Sequence, residues 1–156
     1  MCLKITIKNV VGGYTALIKE EVASLTDEIL KSCFKPISIR KKILAYVNDK
    51  YQTEADYPWT RDPMSATLKI LETKKWYGLI INIPYRCLNI DKEGKVDILN
   101  VKNTPEKINA LIDHIHYFPA YHMNKKHWIS ILLDRTVQIT QVEKLLDESY
   151  QLVTKK

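Results

Sequence analysis

Apolar and polar residues alternate along much of the middle of this chain, which is typical of β-strands whose two faces meet different surroundings. The alternation begins at residues 67–70, where Leu68 and Ile70 stand next to polar residues. It predicts further strands at residues 77–83, 85–90, 96–101 and 128–133. One face of the second strand is expected to carry Tyr77, Leu79, Ile81 and Ile83. Residues 91–95 contain Gly94, which can adopt a positive φ, and they predict a hairpin loop.

Apolar residues at helical spacing predict three helices in the same part of the chain. The first covers residues 38–51 and has an apolar stripe of Ile39, Ile43, Val47 and Tyr51. The second begins with Thr104 as its N-cap and Pro105 in its first turn. Its stripe comprises Ile108, Leu111, Ile112 and Ile115. The last helix is expected to start at a capping box of Thr140 and Glu143. Its inner face comprises Val142, Leu145, Leu146, Ser149, Tyr150 and Val153.

Residues 1–34 form an N-terminal extension in this interpretation, and residues 35–156 form the main domain. The extension shows an alternating start, a glycine pair and then helical spacing, which predict strand, turn, strand and helix. A segment of this size cannot bury a core of its own. We therefore expect it to dock on the remainder.

The order of the elements indicates the fold class. Strands follow one another between Thr67 and Leu133, interrupted only by the helix that starts at Thr104. Connections of hairpin length favour antiparallel pairing, because parallel strands need long crossovers. The sequence thus predicts an α+β fold, with an antiparallel sheet that carries its helices on one face and leaves the other face for a partner.

Composition and charge describe an ordinary folded domain with a basic surface. The chain has 156 residues, of which 46% are hydrophobic and 27% charged, and a net charge of +6. No apolar run is long enough to span a bilayer, and the start of the chain does not resemble a signal peptide, so we expect a cytoplasmic protein. The three cysteines have no C-x-x-C spacing, and Cys33 and Cys87 are expected to be small buried groups. The positive charge permits binding to polyanions such as DNA.

Candidate chemistry for catalysis is weak. The four histidines lie between His114 and His127, but they lack matching cysteines or carboxylates and the helical spacing that chelates a metal. Neither a Gly-x-Ser-x-Gly elbow nor a Gly-rich phosphate loop is present. We therefore expect neither an enzyme nor a resident cofactor or metal.

Residues 119–128 (PAYHMNKKHW) combine histidines, lysines and aromatics immediately before an apolar strand. With four other segments, Tyr57-Pro58-Trp59, Lys75-Trp76-Tyr77, Leu99-Asn100-Val101-Lys102 and Asp147-Glu148-Ser149-Tyr150, this segment resembles the MmcQ/YjbR family of small bacterial proteins. The resemblance covers residues 36–153 and implies the frataxin-like (CyaY-like) α/β sandwich. It also implies DNA binding, which is how the family is commonly labelled. Iron binding, which that fold would suggest, is not expected because Arg40, Lys41 and Lys42 stand where a carboxylate-rich helix would be needed.

Basic and aromatic loop residues are the candidate nucleic-acid site, using phosphate contacts that do not depend on base sequence. The candidates are Lys125, Lys126, His122, Asn124, His127, Arg61, Trp59, Lys74, Lys75 and Arg86. Trp59 is the candidate to stack on bases, whereas Trp76 and Trp128 are expected to lie in the core.

Two alternatives remain open. Residues 119–128 could instead be a structural clasp, in which Asn124 adopts a left-handed conformation and the His122 and His127 side chains bind loose backbone groups. The domain could also bind a protein partner or a small planar ligand such as a drug. The resemblance admits the latter, because the family takes part of its name from a mitomycin-resistance gene cluster.

Overall fold

The computed structural model describes residues 18, 21–26 and 37–154. The chain divides into two units, Met1–Ile37 and Ser38–Lys156, and each is described by itself. In the first unit, residues 21–26 are helical and exposed. The predicted strands of the extension lie outside the described residues. Within the described ranges, every helix is too short or too polar to cross a membrane.

The second unit is built on a five-stranded sheet. Its strands are β1 (Ala66–Lys69), β2 (Trp76–Pro84), β3 (Lys95–Lys102), β4 (Tyr117–Pro119) and β5 (Trp128–Leu132). Their order in the sheet is β1-β2-β3-β5-β4, and each neighbouring pair is antiparallel. The predicted α+β class with an antiparallel sheet is confirmed.

Three helices accompany the sheet: α1 (Ile39–Tyr51), α2 (Pro105–Leu111) and α3 (Ile139–Thr154). The first two begin where the sequence predicts, because the side chains of Ser38 and Thr104 accept hydrogen bonds from free N–H groups of the first turn. The main core forms where the helices pack on one face of the sheet. Its central members include Ile43, Val47, Leu68, Ile80, Leu99, Ile108, Ile129, Ile131 and Leu146.

The other face of the sheet is not left open, contrary to the prediction. A 3₁₀ helix, Tyr85–Leu88, and part of the β4–β5 connection cover it and form a second apolar core. That core contains Leu79, Ile81, Ile83, Val96, Ile98, Phe118 and Leu132, with Tyr121 and Met123 packed against them. A macromolecular partner would therefore have to bind at an end or an edge of the sheet.

The 3₁₀ helix replaces the strand predicted at residues 85–90. Asn89 follows it in a left-handed conformation with φ of 57°, and its backbone N–H binds carbonyls of the helix. The hairpin then closes through a bond from Tyr85 N to the carbonyl of Gly94, which has the expected positive φ of 94°. The apolar residues Tyr85 and Leu88 are therefore buried by a compact turn that packs on the sheet, and not by a strand.

Two helix boundaries also differ from the prediction. The α2 helix ends at Leu111, because the Asp113 carboxylate accepts three backbone N–H groups that follow it and turns the chain into β4. Ile115, predicted to be in the apolar stripe, is 65% exposed. The predicted capping box is wrong, since α3 already includes Thr140 and the N–H groups of Gln141 and Val142 bind the Gln138 carbonyl.

A β-bulge separates Tyr77 from the residues predicted to share its face. The register of β1 and β2 shifts between Leu68 and Lys69, so Tyr77 packs in the main core while Leu79 packs in the second core. Gly78 lies opposite Leu68, where a Cβ atom would stand 2.8 Å from the Leu68 side chain. Only glycine permits this close approach.

Candidate nucleic-acid interface

Residues 119–128 are fixed to the sheet by two polar side chains within it. Asn100 on β3 and Ser130 on β5 are both 0% exposed, and the Ser130 hydroxyl donates to Asn100 Oδ1 at 2.5 Å. Asn100 Nδ2 then donates to the Tyr121 carbonyl at 3.1 Å, and Tyr121 N donates to Ser130 Oγ at 2.9 Å. This closed network holds the segment at Tyr121 and satisfies polar groups that would be costly to bury alone.

The segment is thus held as a clasp, but not by the groups predicted to hold it. The left-handed residue is His122, with φ of 56°, and Asn124 is not among the positive-φ residues. Asn124 instead forms a turn, in which its side chain accepts from Lys126 N and its carbonyl accepts from Trp128 N. Among the hydrogen bonds of the described residues, none comes from an imidazole of the clasp.

Asp147, in the segment Asp147-Glu148-Ser149-Tyr150, joins α3 to α1. Its carboxylate accepts hydrogen bonds from Tyr46 at 2.8 Å, from Lys50 at 2.6 Å and from Tyr51. Burial alone would raise the pKa of Asp147, but these three donors outweigh it and hold the pKa below its usual value. Tyr51 also stacks on the Tyr150 ring, with centroids 3.9 Å apart.

The next two residues of α3 tie the helix to the end of β3. Ser149 donates to the Tyr77 carbonyl at 2.6 Å and accepts from Lys102 N at 2.8 Å. Glu148 accepts from Asn103 at 2.9 Å and also binds Lys107. These contacts give the segment a structural role and leave the exposed lysines as the candidates for binding.

The antiparallel register brings lysines from separate parts of the chain to one end of the sheet. Trp76 pairs with the end of β1, and Trp128 pairs with Lys102 at the end of β3. The residues next to these pairs therefore lie at the same end. Lys69, which pairs with Trp76, also lies there and binds Asp56. We call the five other lysines there the basic end: Lys74, Lys75, Lys102, Lys125 and Lys126.

Uncompensated positive charge characterises the basic end. Within residues 37–154, none of its five lysines forms a salt bridge, whereas Arg40, Lys50, Lys69 and Lys107 all do. Lys102 Nζ lies 5.1 Å from the centroid of the Trp128 ring. Burial, and then repulsion from Lys75, lowers the pKa of Lys102, so the charges of these two lysines lie near each other.

The remaining candidate residues fall into two groups. Trp59 is 38% exposed and packs edge-on against Trp76, with centroids 5.8 Å apart, which places it beside the basic end. Arg61 follows it in an exposed turn, and His127 is exposed immediately before β5. Arg86 lies in the 3₁₀ helix after β2 ends, so it does not belong to the basic end.

Sequence reasoning missed Lys102 at this surface and the exposure of Cys87 on the second face of the sheet. Lys102 was recognisable only as the last residue of a strand, and its position depends on the pairing of β3 with β5. Cys87, expected to be buried, is exposed, because the 3₁₀ helix presents it away from the core. A hydrogen bond between the Cys87 thiol and the Tyr121 phenol raises the pKa of Tyr121.

Comparisons with known proteins agree on one family. The sequence model of the YjbR family matches residues 48–152. The uncharacterised protein YyaQ of Bacillus subtilis is 42% identical over 113 residues, which are 72% of this chain and 96% of that protein. The uncharacterised protein YbdF of Escherichia coli O157:H7 is 36% identical over 61 residues, 37% of this chain and 48% of that protein.

Solved structures give the same result for the fold. A crystal structure from Pseudomonas syringae is 34% identical, has a TM-score of 0.70 and covers 72% of this chain and 97% of that one. A crystal structure from Deinococcus radiodurans, described by the domain name DUF419, is 27% identical, has a TM-score of 0.60 and covers 78% and 83% of the two chains. The predicted resemblance is confirmed: this chain belongs to the MmcQ/YjbR family.

Proposed function

We propose that this protein binds nucleic acid through the basic end of its sheet and does not catalyse a reaction. The observation that carries the proposal is the meeting of five lysines from three parts of the chain, without a carboxylate paired to any of them among residues 37–154. Lysines arranged in this way attract a polyanion and release its counterions when they contact phosphates.

The position of the lysines favours contacts to the nucleic-acid backbone. Lys74, Lys75, Lys125 and Lys126 are exposed in loops, where long side chains can adapt to the spacing of phosphates. None of these four lysines lies on a helix or strand that could enter a groove and read base edges. Such contacts position a protein on nucleic acid without selecting a sequence. Trp59 adds an exposed ring beside the lysines on which an unpaired base could stack.

Anisotropy titrations of a labelled DNA duplex at several salt concentrations test the proposal. We expect the parent to bind in a salt-dependent way, and Lys125→Ala/Lys126→Ala to reduce the slope of log K against log salt by ~1.8, or ~0.9 per lost contact. The loss should be equal on unrelated sequences. Since both side chains are exposed, the free energy of unfolding should change by no more than about 0.5 kcal/mol per substitution.

Lys41→Ala/Lys42→Ala is the matched control, because it removes the same charge from exposed residues at the start of α1. That end of α1 lies beside Asp97, since Arg40 Nη1 binds Asp97 Oδ1 at 3.3 Å, and Asp97 is near the opposite end of β3 from Lys102. If both double variants changed the slope equally, the loss of binding would be due to net charge and not to contacts at the basic end, which would contradict the proposal. Absence of DNA binding by the parent would favour a protein or small-ligand partner instead.

A further inference from the structure

A cavity of about 460 Å³ opens on the second face of the sheet, between the 3₁₀ helix and the clasp. Phe118, Ala120 and Leu88 line it and are at most 7% exposed, so its inner wall is apolar. Tyr121 and Met123 add half-buried side chains to that wall. The volume is that of small-molecule sites, and the wall combines these apolar residues with a larger share of polar surface.

The polar groups at the cavity are basic or neutral. Lys125, His114 and His122 are exposed and line it, as do the Cys87 thiol and the Asn89 amide. No aspartate or glutamate is among its lining residues. An apolar wall beneath a cation-bearing rim is complementary to a molecule with an apolar body and one anionic group.

The backbone around the cavity is held in an uncommon conformation. Five non-glycine residues among those described have a positive φ, and three of them line this cavity: Asn89, His114 and His122, with φ of 57°, 57° and 56°. Residues other than glycine adopt this region at a cost and persist there when the surrounding structure requires it. The three residues lie in three different segments of the wall.

We propose that this cavity binds a small organic anion with an aromatic body, the anionic group meeting Lys125 and the rings of the molecule packing on Phe118 and Leu88. The cavity and the basic end are different surfaces that share one residue, Lys125. Lys126 separates the two, because it belongs to the basic end and does not line the cavity.

Two fluorescent probes of similar shape test the proposal: 1-anilinonaphthalene-8-sulfonate, an anion, and N-phenyl-1-naphthylamine, its uncharged counterpart. We expect the anion to bind at one saturable site. Lys125→Ala should weaken the anion about tenfold, the effect of losing one charge-assisted contact, and leave the neutral probe unchanged. Lys126→Ala, the matched control, should leave both affinities within about twofold.

A second variant, Cys87→Trp, fills the cavity from its exposed side and should abolish binding of both probes. Because that variant can also fail to fold, its circular dichroism is compared with that of the parent. The amide shifts of Phe118 and Ala120 in the parent, followed by NMR as the anion is added, give the same information without a substitution. A folded Cys87→Trp that retains the affinity of the parent, unmoved Phe118 and Ala120 amides, or equal losses in the two lysine variants would overturn the proposal.

Discussion

At the scale of single residues, the polar groups inside the sheet decide how the clasp is held. Asn100 and Ser130 are polar residues within strands, yet each is fully buried. They are tolerated because each completes the hydrogen bonds of the other and of the Tyr121 backbone. A network of this kind stabilises the fold only while all of its members are present.

We therefore expect Ser130→Ala and Asn100→Ala each to lower the free energy of unfolding by about 1–3 kcal/mol, because each leaves buried partners unsatisfied. The double variant should lose less than the sum of the two, by roughly 1 kcal/mol, since the first substitution already breaks the network. Urea unfolding of the four proteins measures this cycle. Thr60→Ala, on an exposed turn residue, is the control. Additive losses would mean that the two side chains act separately.

The burial of Trp128 was predictable from sequence, because it opens an alternating strand, and its exposure is 6%. We expect Trp128→Ala to reduce the free energy of unfolding by ~3–5 kcal/mol, the usual effect of removing a core aromatic. Trp59→Ala, at a residue that is 38% exposed, should cost less. Thermal melts compare them, and a Trp128→Ala melt that coincides with that of the parent would contradict the assignment of Trp128 to the core.

The left-handed conformation of His122 was not predictable in the same way. Asparagine adopts positive φ more readily than most residues, which favoured Asn124 for this role. The position of the turn is instead set by the bonds that fix Tyr121 immediately before it. Those bonds join residues 21 and 9 positions apart, and such separations leave no local pattern in the sequence.

At the scale of elements, local signals predicted two of the three helix starts. Ser38 and Thr104 cap their helices as expected, because an N-cap acts within one turn. The end of α2 depends on Asp113, whose carboxylate binds the backbone beyond the helix. The residues predicted to form a strand at 85–90 bury Tyr85 and Leu88 by packing a 3₁₀ turn on the sheet. An alternating sequence pattern indicates which residues are buried. It is thus compatible with a strand and with a 3₁₀ helix.

The contact between α1 and α3 predicts a pH dependence. Because the folded-state pKa of Asp147 is lowered, its contribution to stability is complete above the unfolded value, about 3.9 for aspartate, and is lost as pH falls below it. The difference in free energy of unfolding between the parent and Asp147→Asn should therefore be largest near neutral pH and shrink below about pH 4.

Urea unfolding between neutral and acid pH measures that difference. Tyr51→Phe removes one donor to the carboxylate and should reduce the pH-dependent part while leaving the Lys50 bond in place. A difference that stays constant, or that grows as the pH falls, would contradict the assigned direction of the pKa shift.

At the scale of the whole molecule, the order of the strands in the sheet brings the lysines of the basic end together. Lys75 and Lys102 are separated by a hairpin, and Lys102 and Lys126 by a helix and a strand. They meet because β3 lies between β2 and β5 in the sheet. Lys74, Lys75, Lys125 and Lys126, which the sequence predicts as candidates, lie at this end, whereas Arg86, also a candidate, lies at the other end of β2. Strand order, which sequence patterns did not specify, decides which loops share a surface.

The central claim, that nucleic acid binds at the basic end, is tested most directly by NMR of the labelled protein titrated with a short DNA duplex. We expect the amides of residues 72–76, Lys102 and residues 125–127 to shift together, and the shifts to reverse when salt is added, because phosphate contacts are screened. Residues 91–95, at the opposite end of the sheet, should not move. Shifts at residues 91–95 without shifts at the basic end, or an unchanged spectrum at low salt, would contradict the claim.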